Sequence, residues 1–110
     1  MSVNKLKESE IKFYIGLDAN NVPETIAWEA EDEGKMTRRD SKAFMTSIWD
    51  PKDQSTLRID LWTKDMQLDE MKVFFHQTLR AMADTFETAT GEKAMAADLR
   101  DYCKHFGEKM

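Results

Sequence analysis

The sequence predicts an α+β fold, with an antiparallel β-sheet in the first part of the chain and a helical hairpin in the second. Apolar residues alternate with polar ones in three segments before residue 64, which is the period of half-buried strands. From about residue 67 they instead recur every three or four positions, as on amphipathic helices. Strands followed by helices are typical of this class, so we expect an antiparallel sheet of three or four strands covered on one face by a C-terminal two-helix hairpin.

The first two strands are predicted within residues 11–17 and 25–30, joined by a short turn. The alternating apolar positions are Ile11, Phe13, Ile15 and Leu17 in the first segment and Ile26, Trp28 and Ala30 in the second. Residues 18–23 between them are rich in types that favour turns or end a ladder. Two strands joined by so short a segment should form an antiparallel hairpin.

The next part of the chain leaves two interpretations open. Residues 31–39 are highly charged, which is typical of an exposed connection. Within residues 41–49, Phe44 and Ile48 lie four positions apart, as on one face of a short helix. The same two residues also share the parity of a strand. We favour the helix, which makes the element order ββαβαα, and keep ββββαα as the alternative.

A further strand and two helices complete the prediction. Residues 57–63 alternate again, and after them one helix should run from about residue 67 to Gly91, a residue type that commonly ends helices. The apolar stripes of the two helices are Met71, Phe75, Leu79, Met82, Phe86 and Ala89, then Met95, Leu99, Tyr102 and Phe106. A polar stripe on the first helix indicates a solvated face with an Arg80–Asp84 ion pair.

Composition places limits on the class of protein. The 110 residues fit a single α+β domain, predicted over 9–110 after a flexible N-terminus at 1–8. The net charge of −5 argues against binding to nucleic acid or to an anionic membrane. One cysteine cannot form an intrachain disulfide, and no apolar run is long enough for membrane insertion. We therefore expect a soluble, cytoplasmic protein.

Residues that could carry chemistry are scarce. The soft or imidazole metal ligands are His76, Cys103 and His105, too few for a metal site of ordinary spacing. The sequence contains no nucleophile elbow and no glycine-rich phosphate loop. We expect no catalytic, cofactor-binding or metal-binding residues and hence no enzyme. Whether His76 or Cys103 has any role beyond structure stays open.

A candidate partner-binding surface lies on the sheet face opposite the apolar residues. Tyr14, Arg58, Asp60 and Trp62 have the parity of that face. Aromatic residues and arginine are enriched where proteins meet partners. Cover by another part of the chain is the alternative for the two aromatic rings. An open strand edge could also pair with another copy, so a homo-oligomer is a further partner class.

Much of the chain resembles the gliding-motility-associated protein GldC family of Bacteroidetes. The resemblance rests on a long string of residues: TLRIDLWTKDM (56–66), DEM (69–71), FFHQTL (74–79) and MADTF (82–86). Shorter stretches at 21–24, 47–50, 89–91 and 95–98 also match. The resemblance implies a small, soluble, cytoplasmic accessory protein of the gliding and secretion machinery, without catalytic or cofactor residues.

Two functions follow from these observations. The first is an accessory role in bacterial gliding motility, through protein–protein contacts with partners of the gliding or secretion machinery. The alternative is a chaperone-like binder of unfolded or secreted client proteins, because the element order is similar to that of SecB-type secretory chaperones. That similarity would be closer if residues 41–49 formed a strand.

Overall fold

The computed structural model describes residues 6–110, which divide into two units: a strand unit up to Met66 and a helical unit from Gln67 to Met110. The strand unit contains β1 (Ile11–Leu17), β2 (Pro23–Asp32), β3 (Lys35–Ser41), β4 (Ala43–Asp50) and β5 (Ser55–Trp62). The helical unit contains α1 (Leu68–Thr90) and α2 (Lys93–Glu108). Antiparallel strands followed by a C-terminal helical hairpin confirm the α+β class. Of the predicted flexible segment 1–8, residues 1–5 lie outside the described part, and residues 6–8 have no regular secondary structure.

The five strands form two antiparallel sheets. The first has the order β1-β2-β3, and the second pairs β4 with β5. In the first sheet Phe13 lies opposite Trp28, and Ile15 lies opposite Ile26, so the predicted apolar positions share one face. Ile26 is only 2% exposed and is the largest buried side chain of the strand unit. The alternation in the sequence therefore identified the apolar face of this sheet.

The charged segment 31–39 is exposed as predicted, but it forms strands rather than a connection. Most of it lies in the end of β2 and in β3, which are joined by the two-residue turn Glu33-Gly34. Both turn residues have positive φ, 51° and 77°, as a tight hairpin turn requires. Glutamate is not a usual residue for the first position, and the charges conceal the strand pattern. Pairing with β2 nevertheless supplies the ladder that makes the segment a strand.

The prediction of a helix over 41–49 is wrong, and the strand alternative is correct. Ala43–Asp50 forms β4 and pairs with β5 along its whole length, from Ala43 opposite Trp62 to Asp50 opposite Ser55. The segment is rich in aromatic and β-branched residues, which pack well on a pleated surface. The spacing of apolar residues in this segment fits both a helix and a strand, and pairing with β5 makes it a strand. The observed order is thus βββββαα.

Asp18 organises the predicted turn between β1 and β2. Its carboxylate oxygen Oδ1 accepts hydrogen bonds from the backbone N–H groups of Asn20 and Val22 at 2.8 and 3.0 Å. The other oxygen lies 2.7 Å from the Lys64 ammonium. The Lys64 hydrogen bond, followed by the two backbone bonds, lowers the pKa of Asp18 to about 2. The turn is thereby tied to the residues that follow β5.

The helical hairpin packs through small residues. Ala83 on α1 and Ala96 and Cys103 on α2 are its buried residues, whereas the larger predicted stripe residues Phe75 and Met82 are exposed. Small side chains let the two helix backbones approach closely. Gly91 ends α1 in a left-handed conformation, as predicted, and its N–H bonds the carbonyl of Glu87.

Charged groups link the two helices on the outside. The Arg100 guanidinium lies 2.8 Å from Asp84 Oδ1 and 2.7 Å from Glu87 Oε1. Asp84 therefore pairs across the hairpin with Arg100, not along α1 with Arg80 as its spacing suggested. Within residues 6–110, neither helix is long and apolar enough to cross a bilayer.

Candidate interaction surface

Three of the four predicted surface residues lie together on one face of β5. Arg58, Asp60 and Trp62 alternate along the strand, and their partners on β4 are Ser47, Met45 and Ala43. Residues directly opposite in an antiparallel pair point to the same side, so these side chains share one face. Tyr14 is separated from them, because it belongs to β1 in the other sheet.

Arg58 is held in place at the centre of this face. Its guanidinium donates to Asp60 Oδ1 at 2.6 Å and also to the hydroxyl of Ser47 on β4. All three groups are exposed to solvent, so the ion pair contributes little to stability. Its effect is to hold the planar guanidinium against the sheet. A fixed planar donor is suited to recognising carboxylate or carbonyl groups.

Two tryptophans flank the Arg58–Asp60 pair. Trp62 is 55% exposed at one end of the face, and Trp49 is 62% exposed at the other, where its strand partner is Thr56. The two ring positions are six residue steps apart along the strands, which corresponds to roughly 20 Å. We call Trp49, Arg58, Asp60 and Trp62 the tryptophan face. Large exposed rings around an ordered arginine are the composition found at the centre of protein interfaces.

Trp49 was not among the sequence candidates. The incorrect helix over 41–49 gave Trp49 no position on the sheet face that carries Trp62. The signal that could have found it is parity: in the strand register Trp49 shares its face with Arg58. The correct pairing of β4 with β5 was needed before that parity had any meaning.

Tyr14 is engaged within its own sheet. Its hydroxyl donates to Glu29 on β2, and the Arg38 guanidinium lies 4.1 Å from the centre of its ring. The hydrogen bond to Glu29, together with desolvation, raises the pKa of Tyr14 above its usual value. A half-buried ring with a satisfied hydroxyl and a stacked cation links three adjacent strands. Its clear role is cross-strand packing.

The opposite face of the second sheet is apolar and accessible. Ile48 lies directly opposite Leu57, and both side chains are about half exposed, as is Ile59. Phe44 on the same face stacks on Phe13 of the first sheet, with ring centres 4.3 Å apart. We call Ile48, Leu57 and Ile59 the apolar strand face.

His76 and Cys103 take part in the packing of the helical hairpin. His76 Nε2 lies 3.0 Å from the carbonyl oxygen of Cys103, and the His76 ring stacks on Phe106. The Cys103 thiol is buried. Beside them runs an open groove of about 620 Å³, in which Asp84 is already paired with Arg100. The part of the chain that the structure describes holds no group of three His, Cys, Asp or Glu able to bind a metal ion.

Comparison with known proteins identifies one family. Residues 23–110 match the sequence model of a family described as gliding motility-associated protein GldC-like. The match spans β2 to the end of the chain, and so includes the tryptophan face and both helices. Searches of curated proteins and of solved structures find no match.

Proposed function

The chain belongs to the GldC-like family of gliding motility-associated proteins, and from that premise we propose that it is an accessory component of bacterial gliding motility. It acts through contacts with protein partners of the gliding or secretion machinery rather than through catalysis. A cytoplasmic location is part of the proposal, and the single cysteine and the high fraction of charged residues favour it.

The observation that supports a contact function is the tryptophan face. Trp49 and Trp62 expose more than half of their surface, on either side of an arginine that the Ser47 hydroxyl and Asp60 hold in one orientation. Tryptophan is enriched at the centres of protein interfaces, because burying each ring removes a large apolar area from water. The ordered Arg58 adds polar specificity between the two apolar anchors.

A double substitution tests this surface. Trp49→Ser with Trp62→Ser removes both rings and should leave the fold intact, since both side chains are exposed. In a gliding bacterium that carries the tagged protein in place of its own copy, we expect loss of the co-purifying motility protein and slower gliding.

A matched control removes apolar surface of similar exposure elsewhere. Met95→Ser with Tyr102→Ser does so on α2, where both side chains are more than half exposed. This control should retain the partner and the gliding speed. Retention of the same partner by the double tryptophan variant would contradict the proposed surface, and equal loss by both variants would show that the effect is not local.

The apolar strand face favours a second candidate function, a chaperone-like binder of unfolded clients. Ile48, Leu57 and Ile59 form a half-exposed apolar patch on a rigid ladder, which suits extended apolar segments. Suppression of the aggregation of an unrelated unfolded protein measures this activity. Ile48→Lys with Leu57→Lys should abolish the suppression, and absence of suppression by the unaltered protein at stoichiometric excess removes this function.

A further inference from the structure

The two edges of the first sheet differ in their protection against pairing. β3, at one edge, carries Lys35, Arg38 and Arg39 in seven residues, and charged side chains of this kind discourage edge-to-edge association. β1, at the other edge, carries a single charge, Lys12. Its apolar side chains are accessible: Ile11 is 68% exposed and Leu17 is 53% exposed.

The backbone of β1 is available along its outer side. Within residues 6–110, β1 is paired in a sheet with β2 alone. In an antiparallel ladder alternate residues direct their N–H and C=O groups to one neighbour, so the intervening residues of an edge strand direct theirs outward. An unpaired row of this kind adds a strand readily, through main-chain hydrogen bonds.

We propose that β1 pairs antiparallel with β1 of a second copy of this chain, with Tyr14 opposite Tyr14. This register pairs all seven residues of Ile11–Leu17, because Tyr14 is the central residue of the strand. It joins the two three-stranded sheets into one sheet of six strands. A two-fold axis through the Tyr14 pair relates the copies, which makes the interface self-complementary and closed.

The side chains of β1 complement themselves in this register. Ile11 lies opposite Leu17 of the other copy, and Phe13 lies opposite Ile15, so the apolar face meets only apolar residues. On the reverse face Lys12 lies opposite Gly16, whose own face is covered by the Thr25 side chain of β2, so the lysine meets no charged group there. Apolar cross-strand pairs stabilise such ladders, and no like charges oppose each other within the strand.

The residues just beyond the strand are compatible with the same register. Glu10 would lie opposite Asp18 of the other copy, which brings two carboxylates together. Each already has a cationic neighbour in its own chain, since Glu10 lies 3.3 Å from Lys12 and Asp18 lies 2.7 Å from Lys64. This pairing uses β1 alone, so it is independent of the tryptophan face and of the proposed partner contacts.

Charged substitutions at positions 11 and 17 test both the pairing of β1 with its copy and the register of that pairing. Light scattering on the purified protein should give about twice the chain mass of 12.8 kDa. Ile11→Lys with Leu17→Lys places like charges opposite each other twice, and should weaken dimerisation at least tenfold. Ile11→Lys with Leu17→Glu places opposite charges at the same positions across the axis. That variant should recover most of the affinity, and added salt should reduce the recovery.

The control variant removes exposed apolar surface from α1 instead. Leu68→Lys with Val73→Lys changes two exposed residues and should leave the dimer unchanged. A monomeric unaltered protein, or a control as monomeric as the double-lysine variant, overturns the proposal. Unchanged dimerisation of the Ile11→Lys, Leu17→Lys variant also overturns the proposal. If the Ile11→Lys, Leu17→Glu variant does not regain dimer affinity, the proposed register is wrong.

Hydrogen exchange gives a measurement that requires no variant. Amides of Ile11–Leu17 that point away from β2 should gain protection as protein concentration rises through the dissociation constant. Amides of β3, at the other edge, should not change. Protection of β1 that is independent of concentration contradicts the pairing between copies.

Discussion

The strand unit and the helical hairpin use opposite means to hold together. In the strand unit the largest buried side chain is Ile26, on β2, the central strand of the first sheet. In the hairpin the buried residues are small, namely Ala83, Ala96 and Cys103, whereas larger apolar residues such as Phe75 and Met82 are exposed. The strand unit depends on a large side chain that fills its interior, whereas the hairpin depends on small side chains at the contact between its helices. The two units should therefore respond oppositely to removal and addition of methyl groups.

Truncation in the strand unit should have the largest effect. Ile26→Ala leaves a cavity at a side chain that is 2% exposed, and should lower the free energy of unfolding by about 2–5 kcal/mol. Denaturant unfolding followed by circular dichroism measures the change. Ile48→Ala removes the same atoms from a half-exposed position and should cost much less. Equal losses would show that Ile26 does not fill the strand core.

Enlargement in the hairpin should come next. Ala96 is fully buried between the helices, so Ala96→Leu forces atoms into a closed contact and should lower the free energy of unfolding by about 1–3 kcal/mol. The neighbouring Ala97 is exposed on the same helix. Ala97→Leu should be nearly neutral, since leucine is also a good helix former. A neutral Ala96→Leu variant would mean that the helices are not in close contact there.

A smaller effect is expected at Gly107, where the hairpin depends on the absence of a side chain. A Cβ added at this position would lie 2.9 Å from His76 Nε2, in a ring held by the Cys103 carbonyl. Gly107→Ala should lower stability by about 1 kcal/mol despite the better helix propensity of alanine. In a His76→Ala background the clash is absent, so the same change should raise stability by about 0.5–1 kcal/mol. A double-mutant cycle measures this reversal of sign.

The smallest effect concerns pH and belongs to the strand unit. The pKa of Asp18 is about 2 in the folded chain and 3.8 for an ordinary aspartate, so its carboxylate stabilises the fold above pH 3.8. That contribution should disappear as pH falls from about 4 towards 2. Asp18→Asn should flatten the dependence of the unfolding free energy on pH in this window, as measured by denaturant unfolding at a series of pH values. Identical profiles for the unaltered protein and Asp18→Asn would contradict the assignment.

Sequence patterns predicted those elements whose period was locally distinct. β1, β2, β5 and both helices follow from alternation or from three-and-four spacing, and the turn at 18–23 and the end of α1 at Gly91 follow from turn and cap chemistry. β3 and β4 did not follow. In β3 the charges conceal the alternation, and in β4 a four-residue spacing fits a helix turn and a strand equally well. Each forms a strand because it pairs with a neighbour, β3 with β2 and β4 with β5. A local pattern does not identify that neighbour.

The candidate surface shows the same division. Parity placed Arg58, Asp60 and Trp62 on one face, and the structure agrees. The pairing of β4 with β5 adds Trp49 to this face. Tyr14 does not belong to it, because β1 lies in the other sheet. Pairing between distant segments sets which faces coincide, and its energy comes from contacts made only after folding.

From the sequence alone come the α+β class, the family resemblance, and the apolar and polar parity of three strands. These are local properties, since period, turn chemistry and composition act within a few residues. The tertiary structure decided the two-sheet topology, the small-residue packing of the hairpin, the membership of the tryptophan face and the contrast between the β1 and β3 edges. Those features depend on which segments meet, and that choice is made by long-range hydrogen bonding and close packing between residues far apart in the chain.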